Sequence, residues 1–305
     1  MSFEEQNYYE ERCRKWRRSA FWRGVLVTLG VLAALAFWAV NYSGDRPVGP
    51  HIARFYISDV IYDNPERDAI LAEMADSTDV QAVILRINSP GGTTVGSEAL
   101  FESIRNISAR KPVVAVLGEV AASGGYIAAI AADYVIARGN TITGSIGVIM
   151  EYPDVTGLME AIGIEMQTIR SSDIKGGVSP FRAPTSAEQA ENQAMVEEAY
   201  IWFRTLVQDR RGLTDSALDS VASGGVFSGR QAVQNDLIDA LGGEPAAVSY
   251  FESVDITLRN VTVETWSVET EETGLLNFFG AKLGINPLLN GLSGRNGPRL
   301  YSLKR

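Results

Sequence analysis

The stretch "PVVAVLGEVAASGGYIAAIAADYVIAR", residues 112–138, decides the fold class. "PVVAVLGEV" is an apolar run with the length of a buried strand. "GGYIAAIAA" reads as a helix of small residues, and "DYVIAR" returns to strand. Ser123 stands at the first junction, directly after a strand and at a helix start. That position points a side chain to the carboxyl edge of a sheet, where open α/β proteins place ligands.

The same alternation continues outward. Upstream, "RFYISDVIY" (54–62) reads as a strand, and "PERDAILAEMAD" (65–76) as a helix with Pro65 near its start. "VQAVILRIN" (80–88) is a buried-type strand that stops at the turn "SPGGT". "SEALFESIRNIS" (97–108) places Leu100, Ile104 and Ile107 on one helix face. Downstream, residues 154–172 predict a helix and then a strand. Residues 185–212 predict one long helix that opens on a capping box, Thr185 with Glu188, and closes on Gly212. A last helical stretch, "SGRQAVQNDLIDALGG", covers 228–243. Alternation of this kind requires a parallel sheet covered by helices. No internal repeat and no low-complexity segment interrupts it.

The chain of 305 residues, 46% hydrophobic and 21% charged, has the composition of an ordinary folded protein. Its N-terminus is different. Residues 24–40, "GVLVTLGVLAALAFWAV", carry no charge and approach the ~20 residues that span a bilayer. Six basic residues precede or flank this run: Arg12, Arg14, Lys15, Arg17, Arg18 and Arg23. By the positive-inside rule they stay in the cytoplasm, with Trp16, Trp22, Trp38 and Tyr42 at interfacial positions. A cleaved signal peptide is the alternative, but no small-x-small site precedes Asn41 and the basic segment is long. The expected layout is therefore a cytoplasmic segment 1–20, a transmembrane anchor 21–40, a linker 41–53, a folded domain 54–268 and a tail 269–305. The role of that tail is open.

The charge and the cysteine count exclude several classes. The net charge of −10 argues against nonspecific nucleic-acid binding. With residues 1–23 set aside, 33 acidic and 21 basic residues remain, which favours solubility. One Cys, Cys13, and one His exclude an internal disulfide and a zinc pattern. No metal or other cofactor is expected.

Ser123 admits two readings, an ordinary helix N-cap or a nucleophile held at a helix N-terminus. There the free N–H groups favour a developing oxyanion. A nucleophilic hydroxyl needs a group to take its proton. The single histidine, His51, reads as a solvated linker residue close to the membrane, so a histidine triad is excluded. A lysine serves when its surroundings bring its pKa down from about 10.4. Beyond the anchor the lysines are Lys111, Lys175, Lys282 and Lys304. Lys111 sits at a surface turn before Pro112, and the last two belong to the tail. Lys175, in "RSSDIKGGVSPFR", is by position alone a loop lysine.

Taken together, "NSPGG" (88–92), "ASGGY" (122–126), "TGSIGVIM" (143–150) and Lys175 resemble, in order and spacing, signal peptide peptidase A. That family comprises membrane-anchored bacterial serine proteases of ClpP/crotonase-like fold, and the similarity runs from about Arg54 to Tyr250. The resemblance implies an α/β fold built as a repeated β-β-α superhelix behind an N-terminal transmembrane helix. It implies that Ser123 is the nucleophile, Lys175 the general base and Ser145 the serine that orients the lysine. The oxyanion hole then falls to main-chain N–H groups of Gly124 and of Gly91 or Gly92. It implies a ring-like homo-oligomer, an octamer in short members, whose neighbouring subunits share each Ser–Lys site. The implied substrates are signal-peptide remnants and similar apolar peptides. The implied location is the bacterial inner membrane, single-pass, with the catalytic domain extracytoplasmic. Two alternatives stand beside this one: an acyl-coenzyme A enzyme on the crotonase fold, and an inactive membrane scaffold.

Overall fold

The computed structural model describes Trp16, residues 21–35 and residues 49–267. Met1–Arg46 and Pro47–Arg305 separate into two compact units. In the first, residues 21–35 form helix α1, whose side chains are largely exposed. Among the described residues no helix is long and apolar enough to cross a membrane. The expected anchor runs beyond them at residues 36–40. Linker residues 41–48 and the tail 269–305 also lie outside the described residues.

The second unit is a mixed α/β fold around an eight-stranded, mostly parallel sheet. The chain enters through β1 (His51–Ile61), α2 (Pro65–Asp76), β2 (Val80–Gly92) and α3 (Thr94–Ser108). It continues through β3 (Val113–Ala122), α4 (Gly124–Ala131), β4 (Tyr134–Ala137) and β5 (Ile142–Gly144). After a short α5 (Thr156–Ala161) comes the long α6 (Ser186–Arg211), then α7 (Asp215–Val221) and β6 (Val226–Ser228). The chain closes with α8 (Gly229–Gln234), β7 (Ala240–Leu241), α9 (Glu244–Val254) and β8 (Thr262–Trp266). The sheet order is β6-β5-β3-β2-β1-β8, with β4 pairing β3 and β7 off this path, and only the β5–β6 pair is antiparallel.

The apolar runs of β1, β2 and β3 are continuous because both sheet faces are covered. Alternate residues divide between two cores. Phe55, Leu85, Ile87, Ala115 and Leu117 join the cluster that takes in α2, α3, α4 and α6. Ile52, Ile84, Val114 and Val116 face Ala247 and Phe251 of α9. Leu100, Ile104 and Ile107 of α3 are fully buried, as their spacing requires. Both hydrogen bonds of the Thr185–Glu188 capping box form, and Gly212 ends α6 in the left-handed conformation at φ 61°.

The structure corrects the sequence reading in four places. His51 is not a solvated linker residue. It lies buried at the head of β1, where its Nε2 accepts from the Trp266 indole at 2.9 Å and its Nδ1 faces the Gly49 carbonyl at 2.8 Å. The domain therefore starts before residue 54. The strand expected at the end of 154–172 does not form. Ile164, Met166 and Ile169 supply the apolar content, yet among the described residues no strand pairs with them, and Ile169 is fully exposed. The helix expected over 228–243 stops at Gln234. Asp236 turns to φ 55°, Leu237 and Ile238 enter the core, and Asp239 donates its N–H to Val135 O while its carboxylate accepts from Val135 N. Helix α9 was not read from the sequence although Glu244 and Pro245 mark its start, and strand β8 was not because it is specified by nonlocal pairing with β1.

Candidate active site

The site is assembled where β2, β3 and β5 end together. β2 and β3 lose register between Ile87 and Ser89, and Asn88 absorbs the irregularity. Its Oδ1 accepts from the backbone N–H groups of Glu119 and Val120 at 3.0 and 3.1 Å. Buried Ser89 accepts from Gly91 N at 3.1 Å and donates to Asp59 O, and the turn expected here is instead an irregular end of β2 whose Gly91 and Gly92 pair with Val60 and Ile61. "NSPGG" is thus a device for bending the end of a strand. Gly91 has φ +119°, and a Cβ there would come within 2.9 Å of Ser123 Cβ and 3.0 Å of Gly124 N. A Cβ on Gly92 would strike the Ile61 backbone, and one on Gly124 would strike Ser97 Oγ. The backbones of residues 91–92 and 123–124 approach this closely only because side chains are missing.

Ser123 directly follows β3 and takes the N-cap position of α4, with φ 52° and ψ −120°. This backbone geometry costs a non-glycine residue of order 1–3 kcal/mol and persists where the surroundings impose it. Here Ser123 N donates to Gly144 O at 2.8 Å, and Ser123 O accepts from Tyr126 N and Ile127 N. The hydroxyl makes no capping bond. Ser123 therefore does not act as an ordinary N-cap, and its Oγ is left to the cavity in front of the helix.

Helix α4 is held from behind. Buried Tyr126 donates from its hydroxyl to Leu237 O at 2.8 Å, and burial pushes its phenol pKa up. At the other end Arg210 of α6 donates to Ile130 O and Ala132 O at 2.7 and 2.8 Å. A cation here satisfies C-terminal carbonyls and complements the helix dipole.

Ser145 follows β5 as Ser123 follows β3, since Ala122 pairs with Gly144. It too has positive φ, 51°, and its N–H donates to Gly225 O at 2.8 Å. Both serines are half-buried and line one cavity of about 940 Å³. Gly92 and Gly124 line it beside them, and Gly91 packs against Ser123 from below. The cavity lining also includes the apolar residues Ile127, Ile146, Val148, Val196 and Phe203, with Tyr200 beside them. Five of the six expected site residues thus meet at one place.

Lys175 is the sixth, and it does not join them within the protomer. It lies in an exposed turn, where its N–H donates to Ser172 O at 3.2 Å, and it does not line the Ser123 cavity. The contribution of α6 to the cavity wall was not read from the sequence, where the helix was recognised only by its length and caps. Ser97 was missed as well. Its hydroxyl is turned to Thr93 O at 2.8 Å, and the close approach of Gly124 was its only signal.

A strained serine with a free hydroxyl at a helix N-terminus, facing a cleft, is the arrangement that acyl transfer to a serine requires. Comparison with known proteins makes the class specific. Residues 105–255 match the model of peptidase family S49. A protein of Methanocaldococcus jannaschii classed as a protease is 30% identical over 295 residues, covering 89% of this chain and 94% of that one. Protease 4 of Haemophilus influenzae is 35% identical over 66% of this chain and 32% of its own length. The chloroplastic serine protease SPPA of Arabidopsis thaliana is 31% identical over 73% of this chain and 34% of its own. The chain spans about a third of the length of these last two. It belongs to peptidase family S49 and is a serine peptidase of the signal peptide peptidase A type.

Proposed function

We propose that this protein is a membrane-anchored endopeptidase of ClpP/crotonase-like fold that cleaves signal-peptide remnants and similar apolar peptides with a Ser–Lys dyad. The observation that carries the proposal is Ser123 itself: imposed backbone strain, an uncommitted hydroxyl and a helix N-terminus directly beneath it. Ser123 Oγ attacks the peptide carbonyl carbon, and its proton passes to the Lys175 amine. The oxyanion is received by Gly124 N–H and by an N–H of the Gly91–Gly92 turn, each such donor worth about 3 kcal/mol. Lys175 returns the proton to the leaving amine, water then attacks the acyl ester, and Ser123 is regenerated. Ser145 holds the lysine.

Because Lys175 stands outside its own cavity, the dyad is completed by a neighbouring subunit in a ring-like oligomer. The segment between the cavity and α6 supports this assembly. Ile149, Leu158, Ile162, Ile169 and Ile174 are all exposed, and apolar side chains left in solvent are what a subunit contact would cover. The anchor is residues 21–40, with the catalytic unit on the extracytoplasmic side of the bacterial inner membrane. The test uses the full chain in detergent with a fluorophosphonate probe, which phosphonylates a reactive serine with loss of fluoride. Labelling at Ser123 that disappears in Lys175→Ala supports the dyad, whereas peptide cleavage by Ser123→Ala equal to the parent's eliminates it.

A further inference from the structure

The loop that carries Lys175 is fastened by a buried ion cluster that the sequence showed only as a helix cap. Glu188, third residue of α6, is about 1% exposed. Its Oε1 accepts from Arg170 Nη1 at 2.8 Å and from Arg182 Nη2. Its Oε2 accepts from Arg182 Nη1 at 2.7 Å and from Thr185 N at 2.9 Å. A buried carboxylate is costly unless each lone pair finds a donor, and here each does. Arg182 above all, with the Thr185 N–H, holds this carboxyl far below the ordinary range, at about 2.

The two arginines then reach in opposite directions. Arg170 Nη1 also donates to Asp173 O at 3.2 Å, and Arg182 Nη2 to Gly177 O at 3.1 Å. Those carbonyls lie two residues before and two residues after Lys175. The turn between them is closed by Lys175 N to Ser172 O and Gly177 N to Ile174 O, both 3.2 Å, with Gly176 at φ 101°. Ile169 and Ile174 are exposed, so apolar burial at these two residues contributes little to fixing it. Among the described residues, every hydrogen bond joining residues 170–177 to α6 runs through these two guanidiniums. Helix α6 also walls the Ser123 cavity through Gln193, Val196 and Tyr200.

We infer that Glu188 is a positioning residue for the general base: it gathers Arg170 and Arg182 so that they hold the Lys175 turn in a set orientation on the helix that frames the serine cleft. The inference rests on the Ser–Lys reading of the site. It needs the fork of Arg182, whose two terminal nitrogens hold both carboxylate oxygens while one of them also reaches Gly177 O; Arg170 makes both of its contacts through Nη1 alone.

The experiment compares Glu188→Gln, Arg170→Lys, Arg182→Lys and Lys175→Ala in the full chain, reading kcat, KM, solution mass and amide exchange of residues 171–177. A misplaced base costs on the order of 10- to 100-fold in kcat, with KM within about twofold of the parent. The expected result is that loss in Glu188→Gln and Arg182→Lys, faster exchange at 171–177, and unchanged mass. A parental kcat in Glu188→Gln while Lys175→Ala is inactive overturns the positioning role and leaves the dyad standing. A parental kcat in Lys175→Ala removes the dyad, and the inference with it. Should Glu188→Gln not fold, parental kcat in both arginine variants overturns the role equally well.

Discussion

At the residue scale, the chemistry depends on atoms that are absent as much as on those present. Replacing Gly91 by Ala puts a Cβ against Ser123 Cβ and Gly124 N at a backbone φ of +119°. The expected outcome is an activity loss on the order of 10²-fold or more, with destabilisation of roughly 1–3 kcal/mol. Steady-state kinetics and urea unfolding measure the two. Gly157→Ala in α5 is the control, since nothing lies within 4 Å of its added Cβ and its φ is not positive. There the change is neutral or stabilises by about 0.5–1 kcal/mol. Glu188 gives a pH prediction of definite sign. Its folded pKa, about 2, lies below the ordinary carboxylate value, so the stability it contributes is complete above roughly pH 5 and is lost as pH falls toward 2. The difference in Tm between the parent and Glu188→Gln therefore narrows steadily over that window. Ser123 and the two glycine turns were legible as residue types at set spacings. The Glu188 cluster was not, because a capping box names the helix start and says nothing of two arginines arriving from a loop.

At the scale of elements, those with periodic burial were read correctly. Residues 65–76 form α2 to the residue, and α6 begins and ends on the predicted caps. What failed was decided by partners distant in sequence. Residues 164–170 have apolar content but, among the described residues, no neighbouring strand, and the 228–243 helix yields to Tyr126 and Val135, which claim Leu237 O and Asp239 from more than a hundred residues away. His51 misled for the same reason, since Trp266 is its partner. The join between α6 and α4 yields a further prediction. Arg210→Met keeps the aliphatic stem yet leaves Ile130 O and Ala132 O without their donors. It costs about 1–3 kcal/mol in urea unfolding, the penalty of buried polar groups left unpaired. Because α4 carries Ser123 on its opposite end, kcat per folded molecule stays within about threefold of the parent if the Tyr126 anchor suffices.

At the scale of the whole molecule, one observation bears on the proposed dyad: Ser123 lines a cavity, and Lys175 is presented on an exposed turn outside it. Two arrangements bring them together, a movement of the turn within one chain or a neighbour's turn entering the cavity. Complementation separates them. Ser123→Ala keeps its lysine and Lys175→Ala keeps its serine, so each variant alone is inactive under either arrangement. When the two are co-expressed and co-purified, sites shared between subunits are repaired wherever a Lys175→Ala serine meets a Ser123→Ala lysine. For random assembly in a closed ring that is about a quarter of all sites. Restored peptide hydrolysis near that fraction, with fluorophosphonate labelling confined to the Lys175→Ala chains, is the expected result. If the mixture stays as inactive as its components while its mass confirms mixed rings, the dyad closes within one chain, and the exposed apolar surface around Ile149 and Leu158 serves assembly without completing the site.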